Sequence, residues 1–113
     1  MSRELDEKVA KVLGWKQSEL HPHWWMPPGA KRWHTINFTS DPAAADLVIK
    51  EIERRGWEWE VSRYLTGYCA DVQERGSDGA ILWNHPTDSA ESQWHALCLA
   101  FLAAVEATKE QAQ

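Results

Sequence analysis

Apolar residues in the first dozen positions recur at helical spacing. Leu5, Val9, Val12 and Leu13 form one stripe, which predicts a helix over residues 3–13 with Ser2 as its N-cap. Glu4, Asp6 and Glu7 sit in its first turn, where the helix dipole favours negative charge. Gly14 reads as a left-handed stop, with Trp15 placed to fold back on the last turn. Trp24-Trp25-Met26 is short and aromatic, like a strand; Pro27-Pro28-Gly29 turns the chain, and residues 33–38 read as the returning strand. Asp41 then caps a second helix with Pro42 at its first position, and Ala45, Val48, Ile49 and Ile52 form its buried stripe. Lys50, Glu51, Glu53 and Arg54 face water, and Gly56-Trp57 repeats the Gly14-Trp15 stop.

From Trp57 the period changes to two. Trp57, Trp59 and Val61 share one face while Glu58, Glu60 and Ser62 share the other, the pattern of a half-buried strand. Residues 68–74 form a second strand with Tyr68, Ala70 and Val72 on its apolar face. Residues 76–79 make a hairpin connection, and residues 80–83 return. Asp88 to Glu91 has the spacing of a capping box ahead of a last helix over residues 89–109. In that helix Trp94, Leu97, Cys98, Phe101, Leu102 and Val105 form the widest apolar stripe of the chain. The order αββαβββα, with short links between strands, predicts an α+β fold: a small antiparallel sheet of about five strands packed by three helices. With helices on both faces, it would be a layered α/β/α sandwich.

This pattern resembles the phage ABA sandwich domain, a small family of bacteriophage and prophage proteins. The matching segments are Val9 to Trp15, the Trp24-Trp25 hairpin, Phe38 to Ala45 opening the second helix and Ile52 to Trp57 closing it. The alternating strands and the Ala103-Ala-Val-Glu-Ala107 end of the last helix complete the match. The resemblance implies an α/β/α fold and a phage setting in an infected bacterial cytoplasm. It implies no assigned activity and no catalytic residues. One departure stands out: Glu58 and Glu60 make a wet strand face, so that strand lies at an edge or the second layer covers only part of the sheet.

Composition narrows the function classes. The 113 residues suit one domain, 1–113, with enough chain for one real core and a polar end, 109–113, that should fray. No apolar run is long enough for a membrane span and the start lacks a signal peptide's apolar stretch, so no membrane partner is expected. Cys69 and Cys98 are too few for a disulfide scaffold, which favours a reduced, cytoplasmic setting. A net charge of −5, from 12 Lys+Arg against 17 Asp+Glu, argues against general DNA binding.

Tryptophan is the compositional outlier, with eight. Trp15, Trp57, Trp59, Trp83 and Trp94 pattern as core, whereas Trp24, Trp25 and Trp33 lie beside Lys31, Arg32 and His34. Aromatic faces stack on bases and cations meet phosphates, so Trp24, Trp25, Lys31, Arg32, Trp33 and His34 form the candidate ligand site. The same rings would equally anchor a protein partner. Metal binding by His21-x-His23 or His95-x-x-Cys98 lacks the four ligands of a closed zinc site, and no cofactor is expected. Catalytic pairs reduce to Cys69 with a histidine, His85 near Asp88, and Glu58 with Glu60.

The reading is a non-enzymatic, phage-type binding protein. One version is counter-defence, sequestering a nucleotide-derived immune signal at the aromatic and basic site. The alternative is a protein–protein inhibitor or accessory factor that uses the hairpin as its interface on a host protein. The tryptophan excess also suggests a homo-oligomer.

Overall fold

The computed structural model describes residues 3–87 and 90–111. Its elements are α1 (Arg3–Val12), β1 (Lys16–Gln17), β2 (Trp25–Met26), α2 (Pro42–Arg54), β3 (Glu58–Tyr64), β4 (Gly67–Arg75), β5 (Ile81–Pro86) and α3 (Gln93–Gln111). The fold is α+β in the expected order, a layered α/β sandwich. Its five strands lie in two antiparallel sheets, β1-β2 and β3-β4-β5, rather than in one. The expectations for Ser2, Asp88, Ser89 and the chain beyond Gln111 lie outside the described residues.

Both glycine stops form as the sequence predicts, and by the same device. Gly14 (φ +84) and Gly56 (φ +79) take the left-handed conformation that a Cβ disfavours. At each, the glycine N–H and the following tryptophan N–H donate back into the helix: Gly14 to Lys11 and Trp15 to Ala10, Gly56 to Glu53 and Trp57 to Ile52. Two of the last carbonyls at each helix end are thus satisfied by the residues that leave the helix. Asp41 caps α2 through its Oδ1, which accepts from the Ala43 N–H at 3.0 Å.

Two expected elements differ. The returning strand at residues 33–38 shrinks to a single bridge, in which Trp25 and His34 exchange backbone hydrogen bonds of 2.7 and 2.8 Å. Beyond it, the backbone finds other partners: Asn37 accepts from Ser40 and Asp41, and the Thr39 N–H donates to Asp6 on α1. Instead β2 pairs along its length with Lys16–Gln17, a polar segment with no alternating signal. The last helix starts at Gln93, because Ala90 is drawn into a bridge with Tyr68 and Ser92 takes the cap. The Ser92 hydroxyl accepts from the His95 N–H and donates to the Thr39 carbonyl at 3.0 Å, tying the cap to the loop ahead of α2.

The register of the larger sheet sets its two faces. Val61 lies opposite Ala70, and Trp59 opposite Val72, which in turn faces His85. This inner face packs on α3, and α1 and α2 pack against α3 in turn. Trp25, Phe38, Ile52, Val72, Leu97 and Phe101 are the large sealed residues of the resulting core. The outer face carries Glu58, Glu60, Asp71, Gln73 and Asn84; Glu58 accepts from Gln73 and from Arg75 at 2.7 Å. Of the two explanations offered for the wet strand, the edge position applies: β3 is an edge strand of the three-stranded sheet. Edge position also leaves Trp59 exposed, correcting its place among the core rings; Trp57 is buried, and Trp15, Trp83 and Trp94 are half-buried.

Asp6 is the one buried carboxylate among the described residues. It accepts from the Thr39 N–H at 2.9 Å and the Thr39 hydroxyl at 3.4 Å. Burial pushes its pKa above the ordinary 3.8, outweighing these hydrogen bonds and the charge of His95. The folded state therefore takes up a proton before the unfolded chain does. Asp6 adds stability on acidification, and that contribution fades as pH rises through its raised native value. Asp6→Asn keeps one acceptor for Thr39 and does not titrate. In urea unfolding, wild type should gain stability relative to Asp6→Asn between neutral pH and about pH 4. Parallel curves for the two proteins would contradict this assignment.

Candidate functional site

A cleft of about 530 Å³ lies between the β2 hairpin region and α2. One wall comes from the turn chemistry at the end of α1. Gly14 seats the chain so closely that a Cβ there would meet Pro28 Cγ at 3.4 Å, and Trp15 follows directly. The Trp15 ring stands edge-on to Phe38 at 5.3 Å and to His34 at 6.3 Å between centroids. Pro27 and Pro28 complete this wall.

The other wall is one face of a helix. Leu47, Lys50, Glu51 and Arg54 follow i, i+3, i+4, i+7 spacing along α2 and all line the cleft. Glu51 is gripped by Arg54 through two hydrogen bonds of 2.6 and 2.8 Å and by Arg55 at 2.8 Å. The Arg54 bonds foremost, helped by Arg55, hold its carboxyl below the ordinary 4.5 despite partial burial. Among the described residues Lys50 pairs with Asp46 alone, at 3.1 Å, and both side chains are largely exposed. Such a pair is worth about 0–1 kcal/mol, so the ammonium is readily diverted to another anion.

The six residues expected to form one site are dispersed. His34 lines the cleft. Trp25 is 1% exposed and belongs to the core, so its ring has no open face for a base; burial corrects its inclusion. Trp24 and Trp33 are 45% and 43% exposed, and Lys31 and Arg32 are exposed, but none of these four lines the cleft. Conversely Trp15, Pro27, Pro28, Leu47, Lys50 and Arg54 were not in the expected set. The available signal was Leu47, an apolar residue on the polar side of α2, aligned with Lys50 and Arg54.

The other candidate chemistry is placed as follows. Cys98 is fully buried, and burial foremost, with the Asp6 charge, pushes its thiol up to about 12, leaving it protonated. Cys69 is half-buried opposite Ser62, and the His85 ring lies 5.4 Å from that of Trp83. His23 is hydrogen-bonded to Arg3. Among the described residues no three His, Cys, Asp or Glu side chains gather as a metal site, and no helix is long and apolar enough to cross a membrane. Comparison with protein-family models, curated proteins and solved structures gives no match.

Proposed function

We propose that the chain is a non-enzymatic, phage-type binding protein that sequesters a nucleotide-derived signal in the cleft between Trp15 and α2. The carrying observation is the pairing of an aromatic and proline wall with the exposed cation Lys50 across an open cleft of about 530 Å³. A purine-sized ring against Trp15, Pro27 and Leu47 buries apolar surface on both sides. Its phosphate reaches Lys50, which gives up a weak surface pair with Asp46 to meet it. Glu51 keeps Arg54 oriented at the rim, so the guanidinium is presented without a search through rotamers. The resemblance to phage ABA sandwich proteins supports a setting in an infected bacterial host, where withholding such a signal serves counter-defence.

A thermal-shift screen with cyclic and linear nucleotides tests this reading. Ligand at about a hundred times its Kd stabilises the native state by about 2.7 kcal/mol, a clear rise in Tm. Lys50→Glu and Leu47→Ala, both at exposed positions, should abolish or sharply reduce that rise while leaving the unliganded Tm nearly unchanged. No rise with any nucleotide would defeat the proposal.

The second reading, a protein-binding inhibitor, draws on Trp24 and Trp33, large rings left exposed outside the cleft. It predicts a host protein that co-purifies with wild type and is lost with Trp24→Ala or Trp33→Ala.

A further inference from the structure

Between Ala96 and Val105, α3 is apolar all the way round. Its inner side, with Leu97, Cys98, Phe101, Ala104 and Val105, is sealed against the sheet and the other helices. Its outer side still carries Leu99, Leu102 and Ala103 at i, i+3, i+4 spacing, and Leu99 is 38% exposed. A helix hydrophobic on every side belongs in an interior, and one protomer covers only part of this one. The uncovered stripe forms the floor of a groove of about 460 Å³, in which α1 contributes Leu5 and Val12.

The groove's rims differ in sign. Lys8 and Lys11 stand on the α1 side and Glu106 on the α3 side. Among the described residues Lys8 is engaged only in a 3.8 Å pair with Glu4, with both side chains well exposed, and Lys11 and Glu106 are exposed. An apolar stripe flanked by opposite charges is complementary to itself under a two-fold rotation, which sets the lysine rim of each copy against the glutamate rim of the other. A surface of one sign would have repelled its own copy. Ala103, small and next to Leu99 on the helix surface, lets two α3 helices approach closely.

We infer that the α1–α3 groove is the interface of a two-fold homodimer. The occupant of the groove is the α3 helix of a second copy, its Leu99 seated between Leu5, Val12 and Leu102. The interface lies on α1 and α3 and shares no lining residue with the cleft between the hairpin and α2, so it stands or falls independently of the ligand reading.

The test is mass in solution by light scattering and sedimentation across a concentration series. Wild type should run at about twice the 13.0 kDa chain mass at high concentration and dissociate on dilution. Leu99→Glu should raise the dimer dissociation constant about thirtyfold or more while far-UV circular dichroism is unchanged. Lys11→Glu and Glu106→Lys should each weaken the dimer about tenfold, and the double reversal should recover most of that loss. A monomer at every concentration overturns the inference. So does a folded Leu99→Glu protein that dimerises as wild type does, or a double reversal weaker than either single change.

Discussion

Trp25→Ala should unfold at a much lower urea concentration than wild type, losing about 3–5 kcal/mol of stability. Trp25 is the sealed residue that the two-stranded sheet contributes to the core, and its backbone also exchanges both hydrogen bonds with His34. Truncating the ring removes its transfer free energy and leaves a void that the rest of the core cluster fills only in part. A domain of this size has about 5–15 kcal/mol in total, so the loss is a large share. Trp24→Ala and Trp33→Ala remove equally large rings from exposed positions and should each cost less than about 1 kcal/mol. If instead Trp25→Ala left stability intact and abolished ligand binding, the ring would belong to the site and not to the core.

The second large effect is at Phe101. Phe101→Ala should also cost about 3–5 kcal/mol, because the ring is fully buried on the one helix that contacts the larger sheet, α1 and α2 together. Its loss also removes a partner of the Arg55 guanidinium, which lies 5.2 Å from the Trp57 ring centroid and 5.9 Å from that of Phe101. Arg55 in turn bonds Glu51, so disturbance at Phe101 reaches the wall of the cleft. Leu99→Ala, two residues away on the outer side, should change protomer stability by less than about 1 kcal/mol when measured at dissociating concentrations. Chemical unfolding of the two variants side by side reads the contrast between the inner and outer faces of α3. Equal losses would mean that both faces are packed within the protomer.

Local order was written plainly where several short-range signals agree. Asp41-Pro42 at the start of α2 and Gly56-Trp57 at its end bracket a stripe of Ala45, Val48 and Ile52, and the helix forms between those marks. The strict alternation of Trp57 through Ser62 likewise gave the sheet its two faces. Where a segment's backbone partners come from far away, the pattern misled. Residues 33–38 alternate like a strand, yet past the bridge at His34 the chain turns, with the Asn37 carbonyl accepting from Ser40 and Asp41 and the Thr39 N–H held by Asp6 from 33 residues earlier. Ser92 caps α3, with the Thr39 carbonyl 53 residues away as its second partner. Lys16–Gln17, with no apolar alternation, becomes a strand because β2 offers it a free edge.

The candidate site was harder to read, for a related reason. Clustering along the chain put Trp24, Trp25, Trp33 and the basic residues together. Adjacent residues in an extended segment point in opposite directions, so Trp25 went inward while Trp24 stayed out. The cleft instead joins Trp15, His34 and the Leu47–Arg54 face of α2, whose proximity no spacing rule encodes.

By itself, then, the sequence determined the elements whose signals are local: helix caps and stops, one-sided stripes, period-two strands and the α+β class that follows from their order. Those signals act over a few residues, through backbone hydrogen bonds and steric limits on φ that the chain meets wherever it folds. Tertiary structure alone decided which tryptophans are sealed, which face of α3 is left uncovered, and which side chains meet across the cleft. Burial and long-range hydrogen bonding are properties of neighbours brought together by packing, and one residue's neighbours are set by the whole core rather than by its place in the chain.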